Sequence, residues 1–187
     1  MADLSRELPQ PQLRGLPLLN AGAELEAANR AWNCNCGPTA IAAATGKSLD
    51  QVRAALTKGT GRFKGYTTVP DVQAALRWLD VRVERSWSKP SKELLEHELA
   101  GTAIFMIQFG GPWMRDPRAS AQHRHLIAFR YGWIGPTLGP RWVADVTNRP
   151  AVWTLLDSWI ATVYELMPDG GDGTWSIGWA CQLAEAP

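Results

Sequence analysis

The chain has 187 residues and a mass of 20.6 kDa, with 45% hydrophobic residues, 20% charged residues and a formal net charge of +1. This composition is typical of an ordinary globular protein and excludes a disordered chain, and its charge gives no indication of a nucleic-acid partner. The longest apolar runs, residues 40–44 and 103–107, are far shorter than the ~20 residues that span a bilayer, so we expect no membrane insertion.

The N-terminal segment, residues 1–22, mixes Pro and Leu without a regular period and is predicted to be an extended arm. Residues 23–187 are predicted to form one domain. The first residues carry acids where a signal peptide would carry cations, and no apolar segment follows them. We therefore expect synthesis in a cytoplasm, with later incorporation into a phage particle or export without a signal peptide left open.

Helices are predicted for the first half of the domain, over residues 36–44, 49–56, 68–79 and 91–99. The first is rich in alanine and has Pro38 in its first turn, where a missing backbone N–H costs little. The second opens with Ser48 and Gln51, which form a capping box. Because the first helix begins at Cys36, this thiol is expected at a helix N-terminus.

Strands are predicted for the second half, over residues 81–87, 102–109, 125–131, 141–145 and 175–183. Residues 162–167 are expected to be a further extended segment before the Gly-rich turn, and residues 152–159 to be a helix. The runs 125–131 and 141–145 are typical of an antiparallel pair. Helices come first and antiparallel strands follow, so the predicted fold class is α+β.

The 10 Trp residues are unusual for this length. Several lie on predicted strands or strand ends, namely Trp133, Trp142, Trp175 and Trp179. Large amphipathic rings at such positions belong either to the core or to a recognition surface, and the core is the favoured interpretation.

Three residue types in this order point to nucleophilic chemistry. At a helix N-terminus, the dipole and the free N–H groups stabilise the thiolate of Cys36 and can hold a developing oxyanion. His125, at the start of a strand, can accept the thiol proton. Asp145, on the next strand, can fix the tautomer of that imidazole, although it could also simply cap the segment that follows.

These residues lie in motifs that resemble the papain-like cysteine peptidases, and among them the bacterial peptidases that cut leader peptides at double glycines. The motifs are Asn-Cys-Gly-Pro-Thr-Ala at 35–40, His-Leu-Ile-Ala-Phe-Arg-Tyr-Gly at 125–132 and Val-Ala-Asp at 143–145. The resemblance covers about two-thirds of the chain. It implies N-terminal helices packed on an antiparallel sheet, a Cys36–His125–Asp145 triad, a peptide or protein substrate or partner, and no cofactor.

The resemblance also implies a Gln about six residues before the cysteine, where its amide completes the oxyanion hole. This chain has Arg30 at that position. An Asn side chain can donate in its place, and the candidates are Asn29, Asn33 and Asn35. Asn148 is a second candidate for orienting His125 if Asp145 does not.

Two other functions stay open at this stage. One keeps the fold as a catalytically weak or inactive binding or structural module, for instance in a phage particle or an effector. The other is a zinc module, since Cys34, Cys36, His123 and His125 are ligands of the right kind, although the one-residue gaps do not match structural zinc motifs. Otherwise Cys34, Cys181 and His123 are interpreted as structural, and no metal is predicted.

Overall fold

The computed structural model describes residues 21–58, 63–95, 99, 101–134, 137–145 and 153–184. Residues 1–20 of the expected arm lie outside these ranges, as do Asn148 and most of the second half of the helix expected over 91–99. Within the described ranges, no helix is long and apolar enough to cross a membrane.

In the part of the chain that the structure describes, four helices precede the first strand: α1 (Ala21–Trp32), α2 (Cys36–Thr45), α3 (Leu49–Thr57) and α4 (Val69–Trp78). The last three begin within one residue of the positions that the capping signals predict. Ser48 and Gln51 form the expected capping box, and Thr68 with Asp71 forms another at the start of α4. Helix α1, which the sequence pattern did not predict, ends four residues before the start of α2.

Six strands form one antiparallel sheet: β1 (Val83–Ser88), β2 (Thr102–Phe109), β3 (Arg124–Ile134), β4 (Thr137–Ala144), β5 (Trp153–Leu155) and β6 (Trp175–Leu183). Their order is β1-β6-β2-β3-β4-β5, so the last strand lies between the first two. The predicted pairing of β3 with β4 is confirmed. So is the α+β class, with helices first and an antiparallel sheet after them.

The sheet separates two hydrophobic clusters. The first contains buried residues of α2, α3 and α4 together with alternate residues of the strands, such as Ala128 and Ala144. The second contains the residues between these, such as Phe129 and Val143, together with a short helix α6 (Leu156–Thr162). Strands β2, β3, β4 and β6 thus have one face in each cluster, because successive side chains point to opposite sides of a sheet.

Most of the strand tryptophans belong to these clusters, which confirms the core interpretation for them. The buried tryptophans are Trp142, Trp153, Trp159, Trp175 and Trp179. Trp78 lies on α4 and not on a strand, and 46% of its surface is exposed. The ammonium of Lys58 lies over its ring.

Two sequence-based expectations are wrong between β4 and β6. Residues 152–159 are not one helix, because Trp153–Leu155 pairs with β4 as an edge strand and helix α6 begins only at Leu156. Residues 162–167 are not extended, since Val163–Leu166 forms a 3₁₀ helix. Pairing with β4 overrides the local pattern in the first case.

The chain between β2 and β3 forms a 3₁₀ helix (Pro112–Arg115) and a short helix α5 (Pro117–Gln122). The side chain of Gln108 holds this segment to the sheet, because its amide donates to the carbonyl oxygen of Ser120 and accepts from the Ser120 hydroxyl. The segment therefore lies beside the start of β3, next to His125.

Candidate active site

Cys36 is the first residue of α2, as its Gly-Pro context predicts. The N-cap is Asn35, whose Oδ1 accepts a hydrogen bond from the N–H of Gly37 at 3.2 Å. The Nδ2 of Asn35 donates to the carbonyl oxygen of Gly65 at 2.7 Å. One side chain thus caps the helix and ties the loop before α4 to the residue that precedes the thiol.

Gly37 allows this loop to approach the helix. A Cβ on residue 37 would overlap the side chain of Thr67, so a larger residue at this position would displace one of the two segments. The same loop contacts the chain before Cys36, since a Cβ on Gly65 would come 2.9 Å from Nδ2 of Asn33. The loop therefore borders the N-terminus of α2 closely.

His125 and Asp145 meet because of the register of β3 and β4. Ala128 pairs with Ala144, and the same register places residue 145 opposite Ile127, on the face that His125 shares. Same-face residues on neighbouring strands at this offset are within reach of longer side chains. Nε2 of His125 lies 2.6 Å from Oδ1 of Asp145, and both side chains are buried.

The thiol of Cys36 hydrogen-bonds to the imidazole of His125. Since Nε2 of His125 faces Asp145, Nδ1 is the nitrogen that remains for the sulfur. The backbone N–H of Leu126 also donates to the sulfur. The three side chains thus form a continuous Cys–His–Asp chain of hydrogen bonds from α2 to the end of β4.

Electrostatics in this chain favour a thiolate and an imidazolium. Burial is the largest influence on the pKa of Cys36 and raises it, but the hydrogen bond and charge of His125 and the N–H of Leu126 together lower it by more, so that the net shift is downward. Burial lowers the pKa of His125, whereas its bonds to Asp145 and Cys36 raise it well above its ordinary value. Both shifts favour the form of the pair in which the proton is on the imidazole.

The pKa values of the other two cysteines are shifted in the opposite direction to that of Cys36. Burial raises the pKa of Cys34 to about 11 and that of Cys181 to about 12. Cys34 contacts the hydroxyl of Thr39 at 3.8 Å, and this hydroxyl in turn donates to the carbonyl oxygen of Asn35. Both thiols fit the structural role that the sequence suggested.

Asp145 has a further partner that the sequence did not reveal. The indole Nε1 of Trp159, on α6, donates to Oδ2 of Asp145 at 2.8 Å. Trp159 is fully buried. A tryptophan in an apolar run is indistinguishable from any core tryptophan, so no signal in the sequence could have identified this contact.

The candidate oxyanion donors do not all converge on the thiol. Asn29 is exposed on α1, and Arg30, which replaces the expected Gln, is exposed and bonds to Glu26 at 3.0 Å. Asn33 is also exposed and has a positive φ of 59°. Asn35 lies next to Cys36 but uses its side chain for the cap and for Gly65.

The four candidate zinc ligands do not form a site. His123 stacks on the ring of Trp113, with ring centroids 3.9 Å apart, and Cys34 bonds to Thr39. Among the residues that the structure describes, no group of three or more His, Cys, Asp or Glu side chains is placed to hold a metal ion. The zinc module therefore has no support in this geometry.

The chain has a structural similarity to a domain of a known protein. No family model and no curated protein matches the chain. A similar solved structure is the peptidase domain of Streptococcus ComA, a bifunctional ABC transporter involved in a quorum sensing pathway. The identity is 17% and the TM-score 0.45, with 81% of this chain and 92% of that chain covered.

Proposed function

We propose that this chain is a cysteine peptidase, or an amidase or acyl transferase, with Cys36 as nucleophile, His125 as base and Asp145 as the orienting carboxylate. The single observation that supports this most is the hydrogen-bonded chain from Cys36 through His125 to Asp145, with the Nε2–Oδ1 distance of 2.6 Å. A thiol with a lowered pKa at a helix N-terminus is the arrangement that activates a sulfur nucleophile.

The reaction proceeds through a thioester. The thiolate of Cys36 attacks the carbonyl carbon, and the carbonyl electron pair moves to the oxygen. When the tetrahedral intermediate collapses, the C–N bond breaks and the imidazolium of His125 gives its proton to the leaving amine. Water or a second amine then attacks the thioester, and His125 takes the proton of that nucleophile. Cys36 leaves as the thiolate, which restores the thiolate–imidazolium pair.

The oxyanion would be held at the start of α2. The backbone N–H of Cys36 lies in the first turn, where an α-helix provides no acceptor for it, so it is available to a substrate oxyanion. Asn33, which is exposed and lies next to the loop at Gly65, is a candidate side-chain donor. The substrate would be a peptide or protein, since an amide carbonyl fits this chemistry.

The test uses an activated ester, because its reaction needs no knowledge of the substrate. Purified protein is mixed with p-nitrophenyl acetate, and nitrophenolate release and the mass of the protein are followed. We expect one acetyl group on Cys36, formed at neutral pH and then hydrolysed. Cys36→Ser should abolish this, and Cys181→Ser, the matched control, should retain it. Acetylation spread over all three cysteines would contradict the proposal.

A binding or structural module is the second candidate, and the position of Arg30 favours it. This residue is exposed and paired with Glu26 rather than directed to the thiol, so the side-chain donor of a typical oxyanion hole is missing here. Loss of one such donor costs about a hundred- to a thousandfold in rate. In the ester experiment, an acetyl group that forms on Cys36 and then persists would favour this second candidate.

A further inference from the structure

Asp145 is a buried carboxylate with a donor on each oxygen. It lies directly after the end of β4, with 4% of its surface exposed. Oδ1 faces Nε2 of His125 at 2.6 Å, and Oδ2 accepts a hydrogen bond from Nε1 of Trp159 at 2.8 Å. A carboxylate at this depth is stable as an anion only when such bonds replace the water it has lost.

The indole of Trp159 is itself held firmly in place. It is fully buried in the second hydrophobic cluster, and its ring packs edge-to-face against Trp175 with centroids 5.8 Å apart. Helix α6, which carries Trp159, packs on β4 and β5. Because the terminal torsion of an aspartate is broad and roughly two-fold, a carboxylate needs such a fixed donor to keep one oxygen directed at one partner.

We propose that Trp159 is a positioning residue, whose indole N–H fixes the carboxylate of Asp145 so that Oδ1 faces His125. This inference rests on the proposed function, since it assigns a role to Trp159 within the same site. The residue acts through Asp145 and touches neither the thiol nor the substrate. Its contribution should therefore appear in the protonation of the Cys36–His125 pair.

The titratable groups that act on the imidazole of His125 are Asp145, after β4, and Cys36, on α2. Burial alone lowers the pKa of His125, and the bond to Asp145 is the largest influence that raises it. Without the N–H of Trp159, the Asp145 anion loses a donor and its orientation. The imidazolium of His125 is then less stabilised by Asp145, and the pKa of Cys36 should rise toward its ordinary value.

The experiment compares Trp159→Phe with Trp142→Phe. Trp142 lies three residues before Asp145, and its buried Nε1 has no hydrogen-bond partner among the described residues. The rate of alkylation of Cys36 by iodoacetamide is measured against pH, with the labelled residue located by mass spectrometry. Trp159→Phe should move the profile upward by about one pH unit, so that the rate falls roughly tenfold at pH values well below the midpoint of the native profile.

The control and a second variant separate the possible outcomes. Trp142→Phe should leave the profile unchanged, and Asp145→Asn should lower the rate without any further loss when combined with Trp159→Phe. If Trp159→Phe matches the native profile while Asp145→Asn does not, the positioning role is overturned and the proposed function survives. If native Cys36 itself shows no enhanced reactivity at low pH, both are overturned.

Nitrogen-15 NMR of the native protein decides the same point if Trp159→Phe does not fold. Among the indole resonances of the 10 Trp residues, one should be shifted downfield and exchange slowly with solvent, because its N–H is buried against a carboxylate. Asp145→Asn should shift this resonance upfield. If no slowly exchanging indole resonance responds to Asp145→Asn, Trp159 does not position the carboxylate.

Discussion

Cys36 and Cys181 contact the same hydrophobic cluster, yet the pKa values of their thiols are shifted in opposite directions. Cys181 lies within β6 and is fully buried, and burial raises its pKa to about 12. Burial also raises the pKa of Cys36, but His125 and the N–H of Leu126 lower it by more. The partners of the sulfur, and not the depth at which it lies, therefore decide the direction in which the pKa of each thiol is shifted.

The ends of secondary-structure elements provide such partners. Within the sheet, the thiol of Cys181 has a backbone partner in Ile104, but no charged side chain among the described residues lowers its pKa. At the start of α2, the first backbone N–H groups have no helical acceptor, and His125 and Asp145 lie at the ends of β3 and β4. The reactive group of this protein is thus expected where elements end.

The largest expected difference concerns serine replacements of the two cysteines. Cys181→Ser places a hydroxyl in the apolar interior and should lower the free energy of unfolding by about 2 kcal/mol. Cys36→Ser should cost less than half as much, because its hydroxyl can bond to His125 and to the N–H of Leu126. Urea denaturation of both variants measures this, and equal losses would contradict the comparison.

The second prediction concerns alkaline pH. The thiols of Cys34 and Cys181 keep their protons in the folded chain to about pH 11 and about pH 12, whereas unfolded thiols lose them near 9.0. Above that value the unfolded state binds fewer protons, so the free energy of unfolding falls as the pH rises, by about 1.4 kcal/mol per unit and thiol.

Replacing Cys181 should remove the contribution of one thiol to the fall in the free energy of unfolding above pH 9. The measurement is urea denaturation of native protein and Cys181→Ala at several values above pH 9. Cys36→Ala is the control, because the pKa of Cys36 is lowered and its thiol is ionised in both states at those values. A slope that Cys181→Ala leaves intact would show that the thiol ionises in the folded chain.

The smallest expected effect concerns the two N-caps. Asn35→Ala and Ser48→Ala should each lower the free energy of unfolding by about 1 kcal/mol, since each removes one capping bond. Only Asn35→Ala should also slow the alkylation of Cys36, because Asn35 fixes the start of α2 and the loop at Gly65. The same change in reactivity in both variants would argue against a local effect.

Local signals allowed much of this arrangement to be predicted from the sequence. Capping residues and Pro38 placed the start of α2 at Cys36, and the turn-rich residues between two strand-like runs placed β3 and β4 as a pair. This pairing puts Asp145 on the strand next to that of His125, but the register itself comes from the structure. The catalytic roles of the three residues stay predictions.

Contacts between distant parts of the chain could not be predicted in this way. The insertion of β6 between β1 and β2 and the bond from Trp159 to Asp145 depend on how whole elements pack. The edge strand Trp153–Leu155 likewise forms because β4 offers it a partner. Residue type identified Asn35 as a possible oxyanion donor, but only the structure shows that it caps α2.

The most direct test of this account is the alkylation rate of all three cysteines against pH, in native protein and in His125→Ala. The account predicts that Cys36 of the native protein reacts fast well below the ~8.5 of a free thiol, that Cys34 and Cys181 do not, and that His125→Ala removes the advantage. If all three cysteines react slowly and alike in the native protein, Cys36 and His125 do not form a catalytic pair.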